Sequence, residues 1–286
     1  MNKTAIITGA DGGMGYEITK AVAAAGYHVI MICYTSIKGE EKKSRIILDT
    51  GNNNIEVIQS DLSSMECVLN TVNKIKKRTS SVELLMNNAG VMCTHYTQTN
   101  EGFEYTVAVN YLAPYLLTRK LLPLMHKGSR IVNMVSCTYL IGKIDKNFFT
   151  KGRKGDFWRI PIYSNTKLAL WLFTRKLSEI LKSKDITVNA ADPGIVSTNI
   201  IRMDKWFDPL TDVLFRPLIS SPRKGADTAI KLLLDGKYKN ISGYMFTSSK
   251  KKNLKDKYNN HPQMDELWEN TEKILLQYLE NDNGST

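Results

Sequence analysis

Tyr163 and Lys167 stand four positions apart in Tyr163-Ser164-Asn165-Thr166-Lys167, ahead of an apolar run from Leu168 to Phe173. On a helix that spacing puts both side chains on one face, so a phenol and an ammonium share one space. A free tyrosine has a pKa of about 10 and is a poor proton shuttle at neutral pH. A nearby cation favours the phenolate and lowers that value, which suits general acid–base work. The pair alone is common in ordinary helices, so its meaning depends on the residues upstream. Ser136 follows the strand-like run Arg130 to Val135, at the strand end where an open α/β sheet presents residues to a ligand crevice. Asn110 lies in an expected long helix, Phe103 to Met125, among Val107, Val109, Leu112 and Leu116. A buried asparagine there needs a specific hydrogen-bonding task, either structural or holding water beside a lysine.

These residues must be positioned by the elements before them. Thr4 to Thr8 reads as a buried strand, followed by Gly9-Ala10-Asp11-Gly12-Gly13-Met14-Gly15 and a helical pattern ending at Gly26. Strand, glycine-rich turn and helix form the setting of a dinucleotide site, with free N–H groups at the helix start facing a pyrophosphate. The second strand, His28 to Cys33, runs into Tyr34-Thr35-Ser36-Ile37-Lys38. A carboxylate at this point would hold the ribose of NAD and repel a 2′-phosphate. With none there, the pattern favours NADP(H), with NAD(H) as the alternative.

Ile55 to Ile58 is the third strand, ending near Asp61 and Leu62. Asp61 is placed either to reach an adenine amino group or to cap the helix beginning near Ser63-Ser64. Val82 to Met86 leads into Asn87-Asn88-Ala89-Gly90, small residues that suit close backbone approach to a ligand or a plain turn. Between Ser136 and Tyr163 the chain is expected to make an excursion over the surface. Thr187 to Ala191 is the sixth strand, leading to Pro193, Gly194, Val196 and Thr198. The apolar stretch Asn199 to Ile219 reads as a lid over an apolar substrate or as a packed helix pair. A helix at Lys224 to Leu234, a seventh strand at Tyr244 to Phe246 and a helix at Met264 to Leu279 complete the chain.

The alternation of strands and helices, without an internal repeat or linker, predicts an α/β fold of the Rossmann type. It would be a doubly wound parallel sheet of about seven strands in a single domain spanning 1–286. Its nucleotide-binding half would cover about 1–127, and its catalytic and lid part about 128–286. Four scattered cysteines without ligand spacing argue against a disulfide framework or a metal site. No apolar run approaches the roughly 20 residues of a membrane span, and no leader-like segment precedes the first strand. A cytoplasmic location is the expectation. The net charge of +11 comes from two stretches: 142–160 carries six Lys/Arg against two Asp, and 223–257 carries ten against three. Charge in a loop and a late surface segment, without a recognisable basic motif, points to solvated surface rather than nucleic acid.

Taken together, these motifs resemble the short-chain dehydrogenase/reductase family. Thr8 to Gly15 matches its T-G-x-x-x-G-x-G, Asn87 to Gly90 its N-N-A-G, and Pro193, Gly194, Val196 and Thr198 its P-G-x-V-x-T. Arg130-Ile131-Val132-Asn133, Gly142-Lys143-Ile144 and Leu267-Trp268-Glu269-Asn270 look most like the retinol dehydrogenase-like branch. Val135 and Tyr34 depart from that branch, where a serine and an arginine are usual. The resemblance implies catalytic roles for Asn110, Ser136, Tyr163 and Lys167. It implies cofactor contacts at Thr8, Gly9, Asp11, Gly12, Gly13, Met14, Gly15, Tyr34, Asp61, Leu62, Asn88, Ala89, Gly90, Tyr163, Lys167, Pro193, Gly194, Val196 and Thr198. Hydride transfer to or from a small alcohol or carbonyl compound, in a homodimer or homotetramer, is the implied activity. The rival readings are a nucleotide-binding redox sensor without turnover, a polyanion binder and a sugar-nucleotide epimerase.

Overall fold

The first strand, β1 (Thr4–Thr8), is buried at every position, as a strand covered on both faces must be. Its side chains divide between two apolar layers: Ile6 enters one, Ala5 and Ile7 the other. The structure, a computed structural model, describes residues 3–145, 148–149, 157–194 and 221–280. Beside β1 run β2 (His28–Cys33), β3 (Ile55–Gln59), β4 (Val82–Asn87), β5 (Met125–Met134), β6 (Thr187–Asp192) and β7 (Met245–Thr247), all parallel. A two-residue antiparallel strand, β8 (Lys250–Lys251), closes one edge. The order is β3-β2-β1-β4-β5-β6-β7-β8. The chain therefore reverses its winding between β1 and β4, and a crevice opens where their carboxyl ends diverge.

Besides a single helical turn at Asp256–Asn259, the α-helices among the described residues are α1 (Gly13–Ala24), α2 (Ser36–Thr50), α3 (Met65–Lys76), α4 (Tyr105–Val107), α5 (Ala113–Leu121), α6 (Arg159–Ile180), α7 (Pro222–Leu234) and α8 (Met264–Glu280). Ile18 and Val22 of α1, Ile46 of α2 and Ala226, Ala229 and Leu232 of α7 cover the Ile7 face. The Ile6 face is covered by α3, α5, α6 and α8, through residues such as Val68, Leu116, Trp171 and Leu275. Helix α6 is buried on several sides because it lies between the sheet and α8. Among the described residues, no helix is long and apolar enough to cross a membrane.

Four sequence expectations are revised. The helix expected from Phe103 to Met125 is broken into α4, a π turn at Ala108–Leu112, α5 and a 3-10 turn at Leu122–Leu124. Strand β5 starts at Met125, not Arg130; the polar His126-Lys127-Gly128-Ser129 hides its first half, and its pairing with β4 is irregular there. Helix α2 is an addition to the expected elements, since only Gly39 and Ile46 of it are buried and no apolar stripe marks it. The excursion after Ser136 is not confined to the surface: Phe148 is 1% exposed and meets Tyr111 edge-to-face at 5.5 Å.

Candidate active site

The crevice between β1 and β4, about 660 Å³ in volume, is shaped by glycines. Gly9 has φ +60°, a backbone conformation that suits glycine. A Cβ at Gly15 would collide with the Gly9 carbonyl oxygen and stand 2.7 Å from Asn88 Nδ2, so only glycine lets α1 start this close to the loop. The β4 exit is tied to the same loop. Thr8 Oγ1 accepts from the Asn88 and Ala89 N–H groups at 3.0 Å each, and Asn88 Nδ2 donates to the Thr8 and Gly9 carbonyls at 3.0 and 3.1 Å. Helix α1 begins with no side-chain cap and no acidic residue in its first turn, leaving its positive end for a ligand anion.

At the next strand end, β5 runs through Val135 to Ser136, which caps the 3-10 turn Cys137–Ile141. The Ser136 hydroxyl faces the Tyr163 hydroxyl, bringing the β5 exit up to α6. One turn further along α6, Lys167 is 3% exposed; its Nζ donates to the Met134 carbonyl at 3.0 Å and lies 5.4 Å from the Tyr163 ring centroid. Gly90 leaves room above it, since a Cβ there would stand 3.3 Å from Lys167 Nζ and 3.5 Å from Asn110 Oδ1. Asn110 sits in the π turn, where the ladder admits an extra residue. Its amide holds the loop after Gly90: Oδ1 accepts from the Val91 N–H, and Nδ2 donates to the Val91 carbonyl, both at 2.8 Å, and to Thr166 Oγ1 at 3.2 Å.

The electrostatics differ from the sequence expectation. Burial pushes the Tyr163 phenol up to about 12; the Ser136 hydroxyl opposes this, while Cys137 and Asp192 add to it. Burial likewise brings the Lys167 ammonium down to about 8. Burial outweighs what the neighbouring amine can contribute; that amine donates to the Met134 carbonyl and stands 5.4 Å from the ring centroid. The shared helix face is correct; its simple electrostatic consequence is not.

The crevice is lined by Gly9, Asp11, Gly12, Gly13, Met14, Gly15, Tyr34, Asp61, Leu62, Asn88, Ala89 and Gly90, as the sequence places them. Thr8 lies behind it as a brace. Tyr163 and Lys167 stand beyond its lining, as do Pro193 and Gly194, which extend β6. Val196, Thr198 and the apolar stretch Asn199 to Ile219 lie outside the described residues. Asp61 accepts from the Ser63 N–H at 2.9 Å, Ser64 caps α3, and Asp61 also lines the crevice. Sequence reasoning missed Cys33, Ser60 and Val91, whose signal was adjacency to motif residues. It also missed Val109, next to Asn110, and Tyr105 and Pro222, brought in from remote elements. The Cys33 thiol is pushed up to about 12 by burial and by Asp11 beside it.

Comparison with known proteins supplies independent findings. The profile of the family described as short chain dehydrogenase matches residues 3–205. Retinol dehydrogenase 12 of Homo sapiens is 32% identical over 268 residues, which are 93% of this chain and 84% of that protein. Polyprenol dehydrogenase of Homo sapiens is 31% identical over 277 residues, covering 93% and 83%. Among solved structures, an uncharacterised protein from Mycobacterium paratuberculosis superposes with a TM-score of 0.76 at 24% identity, covering 95% of this chain and 92% of that one. A short chain dehydrogenase from Burkholderia cenocepacia in complex with NADP gives 0.69 at 22% identity, covering 86% and 95%.

Proposed function

The chain belongs to the short-chain dehydrogenase family and is an NAD(P)-binding oxidoreductase; from that premise we propose that it interconverts an alcohol and a carbonyl compound of apolar character, using NADP(H). The observation that carries this reading is the Ser136 hydroxyl set beside the Tyr163 phenol, one helical turn from buried Lys167, next to a crevice that admits backbone-close binding. The nicotinamide, when bound, supplies or accepts the hydride. In the reducing direction, Tyr163 donates a proton to the oxygen of the developing alkoxide, and Ser136 hydrogen-bonds the same oxygen where charge appears. Lys167 would hold the nicotinamide ribose and bear positive charge one helical turn from the phenol. Asn110 fixes the Gly90–Val91 loop over that amine and would hold a water that links Lys167 to solvent.

The glycine loop and the uncapped start of α1 would hold the pyrophosphate. Helix α2 also begins without an acidic residue, next to Tyr34, which is 63% exposed, and exposed Lys38. That environment tolerates a 2′-phosphate and supports NADP(H). One observation favours NAD(H) instead: the Asp11 carboxylate lies beside Cys33 at the end of β2, where it would repel the phosphate. Separate titrations with NADPH and NADH discriminate, and tighter NADH binding would replace the NADP(H) assignment. Relatives named for retinol and polyprenol point toward long apolar alcohols. Assay of a panel of such alcohols and their aldehydes, beside short polar ones, tests the substrate class. Turnover confined to the polar compounds would overturn it, and nucleotide binding with no turnover on any member would leave a redox sensor.

A further inference from the structure

Asp192 ends β6 and is 1% exposed. Its Oδ1 accepts from the Gly194 N–H at 3.1 Å, and its Oδ2 accepts from Thr247 Oγ1 at 3.3 Å and from Lys252 Nζ at 3.1 Å. Lys252 lies just past β8, in the basic stretch to which the sequence assigns no role. Its ammonium also stands over the Tyr139 ring, 5.1 Å from the centroid, where it favours the Tyr139 phenolate. Tyr139 is 1% exposed, and its N–H donates to the Ser136 carbonyl at 3.0 Å. On the other side, the Val135 N–H donates to the Ala191 carbonyl at 3.0 Å, so Asp192 neighbours the β5 exit that carries Ser136.

Lys252 thus bridges the two segments that flank Ser136. We propose that Asp192 and Lys252 form a positioning pair that fixes the Ser136–Tyr163 edge of the site and balances the charge facing the Tyr163 hydroxyl. The inference rests on the catalytic reading given under Proposed function. Burial works against the Lys252 ammonium, and Asp192 first and Tyr139 second together more than offset it, holding the amine above its ordinary range. Asp192 in turn is among the groups that push the Tyr163 phenol up, after burial and alongside Cys137. Among the described residues, the groups facing Tyr163 are Ser136 and Cys137 from the 3-10 turn, Lys167 from α6 and Asp192 from β6; Lys252 and Tyr139 act behind Asp192. A bare carboxylate disfavours phenolate, and a bare ammonium favours it.

The sign therefore reverses between the two partners. Lys252→Met should move the rising limb of the alcohol-oxidation pH profile upward by about one unit, and Asp192→Asn should move it downward by a similar amount. The double variant should return it close to the wild-type position, and Lys252→Arg should retain it. NMR of isotope-labelled tyrosine ring carbons, assigned with Tyr163→Phe, reads the same titration without turnover. Shifts of one sign, or losses that simply add in the double variant, would reduce the pair to a structural brace and overturn the proposal. Failure of the wild type to oxidise any alcohol would instead defeat the catalytic reading, and the NMR titration separates the two failures.

Discussion

The two halves of the crevice work by different physics. On the β1–β4 side, backbone does the shaping: Gly9 at φ +60°, a helix start packed on the Gly9 carbonyl, and Thr8 and Asn88 lacing two loops together. On the β5–α6 side, the fold brings buried Lys167 and Asp192 up to half-buried Tyr163 and Ser136, so that burial, charge and a hydroxyl dipole set the protonation of the phenol. The first half fails when atoms are added, and the second when charge is altered. The comparison teaches that nucleotide affinity and proton transfer are separable by mutation.

The strongest way to break that separation is Tyr163→Phe. Steady-state turnover should fall by about 10²–10⁴-fold for lost acid–base catalysis, with nucleotide affinity by titration almost unchanged. Near-normal turnover would remove Tyr163 from the chemistry; a parallel loss of nucleotide affinity would merge the two halves. Gly15→Ala acts from the opposite side. Its Cβ has nowhere to go, so overpacking should cost about 1–3 kcal/mol in stability and weaken nucleotide binding about tenfold or more. Gly12→Ala, whose nearest contact would be 3.4 Å from the Gly9 carbonyl oxygen, should leave both nearly intact. Equal effects in thermal melts and titrations would show that the loop is not set by close packing.

The smallest effect sharpens the charge side. Burial lowers Lys167 to about 8 in the folded chain, against an ordinary value of 10.5. Below about pH 8 the buried ammonium therefore carries its full desolvation cost. As pH rises through 8 toward 10.5, the folded chain releases this proton first, and stability gains. Urea denaturation over that range should show this gain in the wild type and its loss in Lys167→Met. Unchanged pH dependence in the variant would mean that the amine is better solvated than its position implies.

Much of the α/β order was readable because parallel strands covered on both faces appear as apolar runs, as in Ala5-Ile6-Ile7 and Val29-Ile30-Met31-Ile32. The glycine loop and the Tyr163–Lys167 pair were readable because their function is local in sequence. Helix α2 was not, because it rests on the sheet edge mainly through Ile46. The start of β5 was hidden by polar residues, and Tyr105 and Pro222 reach the crevice only through tertiary packing. The protonation balance was least legible. Spacing reveals which side chains meet, whereas burial decides what each one carries, and a string of residues records little of burial.

The five-residue turn at Ala108–Leu112 has a consequence for insertions and deletions in this chain. A helix that swallows one surplus residue is out of phase with itself on either side of the defect. Excising Ala108 would heal the ladder into regular α geometry, yet it would swing the segment before the cut by about 100° relative to the segment after it. Asn110 could then stay with Val91 only if α4 and its approach abandoned their own packing. The local irregularity is thus the setting that lets both ends of the helix keep their places, and a tidier backbone would be the less competent one.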